Sequence, residues 1–258
     1  MRSAVDRLLA FLSFHYHLIA KKPYFGDYMA SHQLSPPRAP FMRRLMQKIC
    51  SERGSLLMLG IGSWAGESAI LWAEVGKQTL AENHRQPPSI VCVDPWTSYL
   101  SLDGNPHLGS MRRAALSDRI FSLFLHNIKS SGHDDVIISL RTWSDVAARF
   151  FRTDLFDMVY IDGDHAYSSV VSDIRNYAPL VIDGRYICGD DLELRMGEVD
   201  RNFASAHRDK DLVRDASTGT DFHPGVTLAV GEFFGEVSAY AGFWVMQKAG
   251  GAGRKVAL

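Results

Sequence analysis

From residue 55 onward two patterns alternate along the chain: short unbroken apolar runs, and longer stretches in which apolar residues recur every three or four positions. The runs Ser55 to Leu59, Ser89 to Asp94, Val136 to Leu140, Leu155 to Asp162 and Leu180 to Gly189 read as buried strands. Between them, Glu67 to Leu80, about Ser110 to Ser130, a short segment from Ser144, and the stretch ending at Tyr177 have helical spacing. Strands alternating with helices predict an α/β fold: a Rossmann-like, mostly parallel sheet with helices on both faces. Residues 1–53 read as an N-terminal helical extension, broken at Ser35-Pro36-Pro37 and resumed from Phe41 to Glu52. Residues 54–248 form the main domain, in which 193–222 is a charged insertion poor in strand signals. Pro224 to Phe234 can open a helix at its proline, and Val237 to Met246 reads as a terminal hairpin or strand pair. Residues 249–258 are expected to be a flexible tail.

Composition narrows the class of function. The 258 residues are 46 % hydrophobic, enough for a full core, and 28 basic against 29 acidic side chains leave a formal charge of −1. No overall positive field is present to hold nucleic acid or an anionic membrane, so a small-molecule substrate is expected. Cys50, Cys92 and Cys188 are scattered through apolar runs and read as buried, reduced thiols rather than disulfides or a zinc site. The apolar run Leu8 to Ala20 follows Arg2 and Arg7 like a signal peptide, but His15 and His17 interrupt it and it is too short to span a bilayer. It is read as a helix packing on the domain or on another subunit, with a homo-oligomer through the N-terminal helices as the partner expectation and the cytoplasm as the location.

Two of the strands end in clustered acid. Tyr160-Ile161-Asp162-Gly163-Asp164-His165 and Ile187-Cys188-Gly189-Asp190-Asp191 discharge carboxylates at strand C-termini, where open α/β sheets bind ligands. Clustered carboxylates repel unless a cation or protons lie between them, and oxygen donors suit a hard divalent ion such as Mg²⁺. His165 adds a group that carries a proton near neutral pH, and Asp164 can cap a helix beginning near Ala166. Tyr167 and Asp173 read as helix residues facing core and solvent, and His223 is set behind these as a residue that could reach the crevice from the insertion.

Gly60, Gly62 and Gly66 lie between the first strand and the next helix, and Asp94 ends the second strand, where a carboxylate can accept hydrogen bonds from ribose hydroxyls. The set Gly62-x-x-x-Gly66-x-Ser68, Val93-Asp94-Pro95-Trp96, Ser144, Ile161-Asp162-Gly163-Asp164-His165-x-Tyr167 and Gly189-Asp190-Asp191 resembles class I S-adenosylmethionine-dependent methyltransferases. More narrowly it is similar to the metal-dependent small-molecule O-methyltransferases of the Methyltransferase 24 group, which takes in macrolide-sugar methyltransferases and cephalosporin hydroxylase-like proteins. The resemblance covers about residues 50 to 248. It implies a seven-stranded sheet with an antiparallel last strand, and a methyl donor lying across the first two strand ends. By that resemblance Gly60, Gly62 and Gly66 border the methionine part, Asp94 the ribose, and Trp143 with Ser144 the adenine. Ser63, Ser68, Trp96 and Asp162 complete the donor-binding set. Asp162, Asp190 and Asp191 would hold Mg²⁺ or another divalent cation, and His165 would act as the base toward a hydroxylated acceptor such as a sugar, glycoside or polyketide-type compound.

Other readings stay open beside it. Gly60 stands where such proteins often carry an acidic residue, which favours a non-catalytic relative that binds a nucleoside ligand, and a hydroxylase-like relative would keep much the same site. An NAD-dependent oxidoreductase rests on the glycine loop alone, whose three-residue gap between Gly62 and Gly66 departs from the dinucleotide pattern. The insertion 193–222 reads either as a solvated excursion or as a lid.

Overall fold

The computed structural model describes residues 4–29, 36–52, 54–97, 109–250 and 252–258. Helices α1 (Ala4–Ile19) and α2 (Ala39–Glu52) precede β1 (Leu57–Ile61), and the alternation then runs α3 (Glu67–Glu82), β2 (Ser89–Asp94), α4 (Gly109–Leu116), α5 (Arg119–Ser130) and β3 (Ile137–Arg141). The second half follows as α6 (Ser144–Ala147), β4 (Phe156–Ile161), α7 (Tyr167–Tyr177), β5 (Val181–Leu192), α8 (Arg201–Ala206), β6 (Val213–Arg214), β7 (Asp221–Phe222), α9 (Pro224–Phe234), β8 (Ser238–Tyr240), β9 (Gly242–Ala249) and β10 (Ala252–Lys255).

The sheet runs β10-β9-β5-β4-β1-β2-β3, with β8 also pairing β9. Strands β1 to β5 are mutually parallel, whereas β9 lies antiparallel to β5, β8 and β10. Order therefore reverses between β1 and β4, and that switch point is where the C-terminal ends open a crevice. The sheet has eight strands rather than the seven that the resemblance implies, because the terminal hairpin adds antiparallel edge pairs. The segment expected to be a flexible tail is thereby corrected in part: β10 pairs with β9 and Val256 is buried, since the β9 edge offers free backbone donors and acceptors.

Period-two alternation divides the strands between two cores. Met58, Tyr160, Tyr186 and Cys188 face a core built with Met42 and Leu45 of α2, Trp72 of α3 and Phe124 of α5. Leu59, Ile61, Val159, Ile161 and Ile187 face the other, built with Val170 and Ile174 of α7 and Val226 and Val230 of α9. The helix expected over 110–130 is two, because Asp118 takes the left-handed conformation at φ 56° between α4 and α5, one that aspartate tolerates better than most residues. The three cysteines are free and buried, and burial pushes the thiols of Cys50 and Cys92 up to about 12.

Ahead of α2, a buried amide ties the N-terminal extension to the body. Buried Asn127 of α5 accepts from the Tyr24 N–H (2.8 Å) and donates to the carbonyls of Tyr24 (3.0 Å) and Ala65 (2.9 Å). Helix α1 itself buries no residue, touching the body through Phe14 against Tyr24 and Tyr28 and leaving Val5, Leu8, Leu9, Leu12 and Ile19 exposed. Arg2 and Ser35, which entered the reading of this region, lie outside the described residues. Among the described residues no helix is long and apolar enough to cross a membrane.

Candidate active site

The switch point is tight. Gly62 sits at φ 78°, and a β-carbon there would fall 1.8 Å from the Asp162 carbonyl oxygen, so the β1 loop lies directly on the end of β4. On the α7 side of this contact a cavity of about 270 Å³ is lined by Gly62, Asp94, Trp143, Ser144, Asp164 and Asp173, among others. Four expected donor-binding residues thus share one cavity, and Trp143, 47 % exposed, stands at its edge as a flat apolar face. Ser168, Ser169 and Ser172 add hydroxyls from the first turns of α7. The sequence offered a signal for them, since positions i, i+1 and i+4 lie on one side of a helix.

Asp94 has a structural task besides lining this cavity. Its Oδ2 accepts from the Trp64 N–H (3.0 Å) and its Oδ1 from the Trp96 N–H (2.6 Å), so it fixes the β1 loop against the end of β2. Burial raises its pKa to about 6 although these N–H groups pull the other way. Trp96, expected among the donor-binding residues, is instead wholly buried between Phe121 and Phe124, its indole N–H donating to the Trp64 carbonyl. Its ring is large and apolar, and the space under α5 takes it in preference to the polar crevice. Gly60, Ser63, Gly66 and Ser68 do not line the cavity; Gly66, at φ 87°, allows the turn into α3 beneath Phe124.

The acidic strand ends meet on the far side of Asp162. Asp162, His165 and Asp191 each offer a ligand atom within 4.8 Å of the others, as do Asp191, Glu193 and His223, and His165, Asp211 and His223. Asp190 joins none of these groups among the described residues. Asp191 departs from regular strand geometry at φ 63°, where the β5–β9 register shifts between Gly189 and Leu192, and Asp190 is turned toward Tyr160, whose hydroxyl lies 3.1 Å from Asp190 Oδ2 and 3.1 Å from Asp162 Oδ2. Arg38, just ahead of α2, forms ion pairs with Asp190 and with Asp191 (3.3 Å). Burial, followed by the charge on Asp191, raises the Asp162 carboxyl to about 7.

His165 is held from both ends: Nε2 lies 3.0 Å from Asp191 Oδ2 and Nδ1 2.7 Å from Asp211 Oδ1. Burial alone would lower its pKa, but the two carboxylates outweigh that and hold it well above the ordinary histidine value. Asp191 is pushed up by burial and pulled further down by His165 and Arg38, ending below the usual carboxylate range. Both ring nitrogens therefore donate, and in this arrangement the expected base already carries its proton. The imidazole of His223 meets that of His165 edge to face at 4.4 Å and bonds Glu193 at 3.0 Å, so His223 does reach the crevice. Asp173, read as solvent-facing, is buried instead, with the Ser144 hydroxyl donating to it and a pKa that burial raises to about 6. Asp164 accepts from the Ala166 N–H (3.4 Å) and the Ser169 hydroxyl (2.7 Å), tying the first turn of α7.

Arg38, Tyr160, Glu193 and Asp211 are the members that sequence reasoning missed. Asp211 comes from the insertion, which is neither loose nor purely solvated: Leu194, Ala204, Phe222 and Leu228 give it a small core against α9. The donor chemistry fits a divalent cation, since two half-buried carboxylates and an imidazole converge at one point. The cavity beside Gly62 fits a nucleoside, with a carboxylate, hydroxyls and a flat aromatic face around it.

The profile of a methyltransferase domain family matches residues 59–192, more than half of the chain. No curated protein sequence matches. Among solved structures, the O-methyltransferase NovP superposes with a TM-score of 0.59 at 14 % identity, covering 93 % of this chain and 99 % of its own. A putative caffeoyl-CoA O-methyltransferase from Staphylococcus aureus gives 0.54 at 10 % identity, covering 96 % and 93 %. The O-methyltransferase from Bacillus cereus in complex with SAH gives 0.50 at 19 % identity, covering 93 % and 90 %. At such identities these three likenesses speak for the fold.

Proposed function

Because the chain belongs to the methyltransferase domain family, we propose that it moves the methyl group of S-adenosylmethionine onto a hydroxyl of a small molecule, with a divalent ion, Mg²⁺ or another, at the acidic strand ends. One observation carries this reading: the nucleoside-sized cavity and the carboxylate–imidazole cluster adjoin at the switch point, the first bordered by Gly163 and Asp164 and the second by Asp162. The likeness to O-methyltransferase structures supports oxygen as the acceptor atom.

Gly62 lets the donor approach the backbone, Trp143 offers a face to the adenine, and Asp94 keeps lone pairs for ribose hydroxyls while holding the loop. Asp162 and Asp191 would hold the ion, with Asp190 as the third carboxylate. When bound, such an ion lowers the pKa of a coordinated hydroxyl. Attack by the acceptor oxygen on the methyl carbon breaks the carbon–sulfur bond and leaves a neutral thioether, so alignment of donor and acceptor supplies much of the rate. His165 can take the acceptor's proton at Nε2 only in its neutral form, so Nε2 first gives its own proton to solvent water while Nδ1–H stays on Asp211. Asp211 keeps the ring in place through Nδ1. A neutral, hydroxylated sugar, glycoside or polyketide-type compound suits the uncharged balance of the chain.

Calorimetry with S-adenosylmethionine and with NAD, each with and without Mg²⁺, tests the donor, and a labelled methyl group offered to hydroxylated small molecules tests the acceptor. Asp162→Ala is expected to lose transfer at least about 100-fold with donor affinity changed only modestly, whereas Asp94→Ala mainly weakens donor binding. Binding of NAD alone would discard the reading, and equal turnover by wild type and Asp162→Ala in chelator-treated buffer would take the ion out of it.

A further inference from the structure

Arg38 stands outside the motif of the strand ends yet occupies their most acidic point. Its side chain is 11 % exposed, those of Asp190 and Asp191 are 3 % and 13 % exposed, and its Nη1 pairs with Oδ1 of both. The remaining contacts of Asp190 are fixed as well, the Asp191 N–H donating to Oδ1 at 2.9 Å and the Tyr160 hydroxyl lying at Oδ2. Two adjacent buried carboxylates need a partner, and a guanidinium is the side chain that meets carboxylates best. The lone pairs that Arg38 takes are those that would ligate an ion at the strand ends, and like charges cannot share that volume.

From this geometry we propose that Arg38 is a built-in cation which a divalent ion must displace from Asp190 and Asp191, so that ion occupancy and the seating of the Arg38 guanidinium on these two carboxylates exclude each other. The inference rests on the reading of the strand ends as an ion site. Arg38 acts here through the two carboxylates and is a positioning residue.

Mn²⁺ serves as the probe, with its affinity measured by electron paramagnetic resonance on the full chain and thermal unfolding followed in parallel. Arg38→Gln is expected to tighten Mn²⁺ at least about tenfold, to melt below wild type in ion-free buffer, and to gain more than wild type on adding Mn²⁺. Should Arg38→Gln fail to fold, Arg38→Lys carries the same test with a gain of about threefold, because a point charge grips the pair less well than the planar fork. Equal or weaker Mn²⁺ binding by the variants overturns the competition while leaving the ion site standing. Absence of Mn²⁺ binding in wild type and variants alike, with S-adenosylmethionine still bound, overturns the competition and the ion site together and leaves the methyl donor untouched.

Discussion

At Gly62 a methyl group has no room, since the Asp162 carbonyl would be 1.8 Å away and the backbone already lies in the left-handed region. Gly62→Ala is therefore expected to cost more than about 2 kcal/mol in urea unfolding and to weaken donor binding, and an unchanged midpoint would contradict the described contact. Asp173 gives a pH test. Its folded pKa, raised to about 6, lies above the unfolded value, so its contribution to stability is complete below the unfolded pKa and is lost as pH rises through about 6. Asn imitates the protonated form, so Asp173→Asn should match wild type near pH 4 and exceed it by about 3 kcal/mol near pH 7.5 in paired unfolding curves. A gap that stays constant with pH would show that Asp173 does not titrate with folding. Asp162, His165 and Asp191 were legible because each follows an apolar run whose end faces the crevice. Arg38 was not, since a lone arginine among prolines has no period and its partner Asp191 is 153 positions away. Trp96 was misjudged because adjacency to Asp94 in sequence says nothing of which way a ring turns.

Helix α5 does more than cover the sheet, because its Asn127 clamps Tyr24 to the β1 loop through three hydrogen bonds. Asn127→Ala leaves the Tyr24 N–H and two carbonyls without that partner, and about 3 kcal/mol of stability should go with it. Hydrogen exchange at the Tyr24 amide reports the loss directly; protection equal to wild type would mean that the clamp is dispensable. The long elements were readable, as the strand and helix periods persisted over enough residues to be counted, though β1 is displaced two positions from the apolar run that announced it. Strands β6 and β7 have two residues each, too few to show alternation, and so the insertion read only as charge. The lid reading of residues 193–222 gains a fixed point in Asp211 on His165, whereas the solvated-excursion reading does not account for the core around Phe222.

Across the whole molecule, the reversal of strand order between β1 and β4 decides where chemistry can sit, and the alternating pattern implied that reversal without giving its place. From the residues alone the antiparallel edge was visible as a hairpin, because the pairing partner of a terminal strand is set by which edge is free, and the family resemblance added the antiparallel last strand. Val5, Leu8, Leu12 and Ile19 follow one face of α1, and a second copy of the chain would cover them in the proposed homo-oligomer. Leu8→Glu combined with Leu12→Glu should shift sedimentation toward the monomer, and identical profiles would place any interface elsewhere. Closed thiols offer a practical handle on all of this. Because Cys50, Cys92 and Cys188 are shut in the interior, with burial pushing Cys188 well above its usual range as well, alkylating reagents should react with the native chain only as fast as it opens. A single Ser13→Cys on exposed α1 would then accept a fluorophore alone, letting assembly be watched by energy transfer in otherwise unaltered protein.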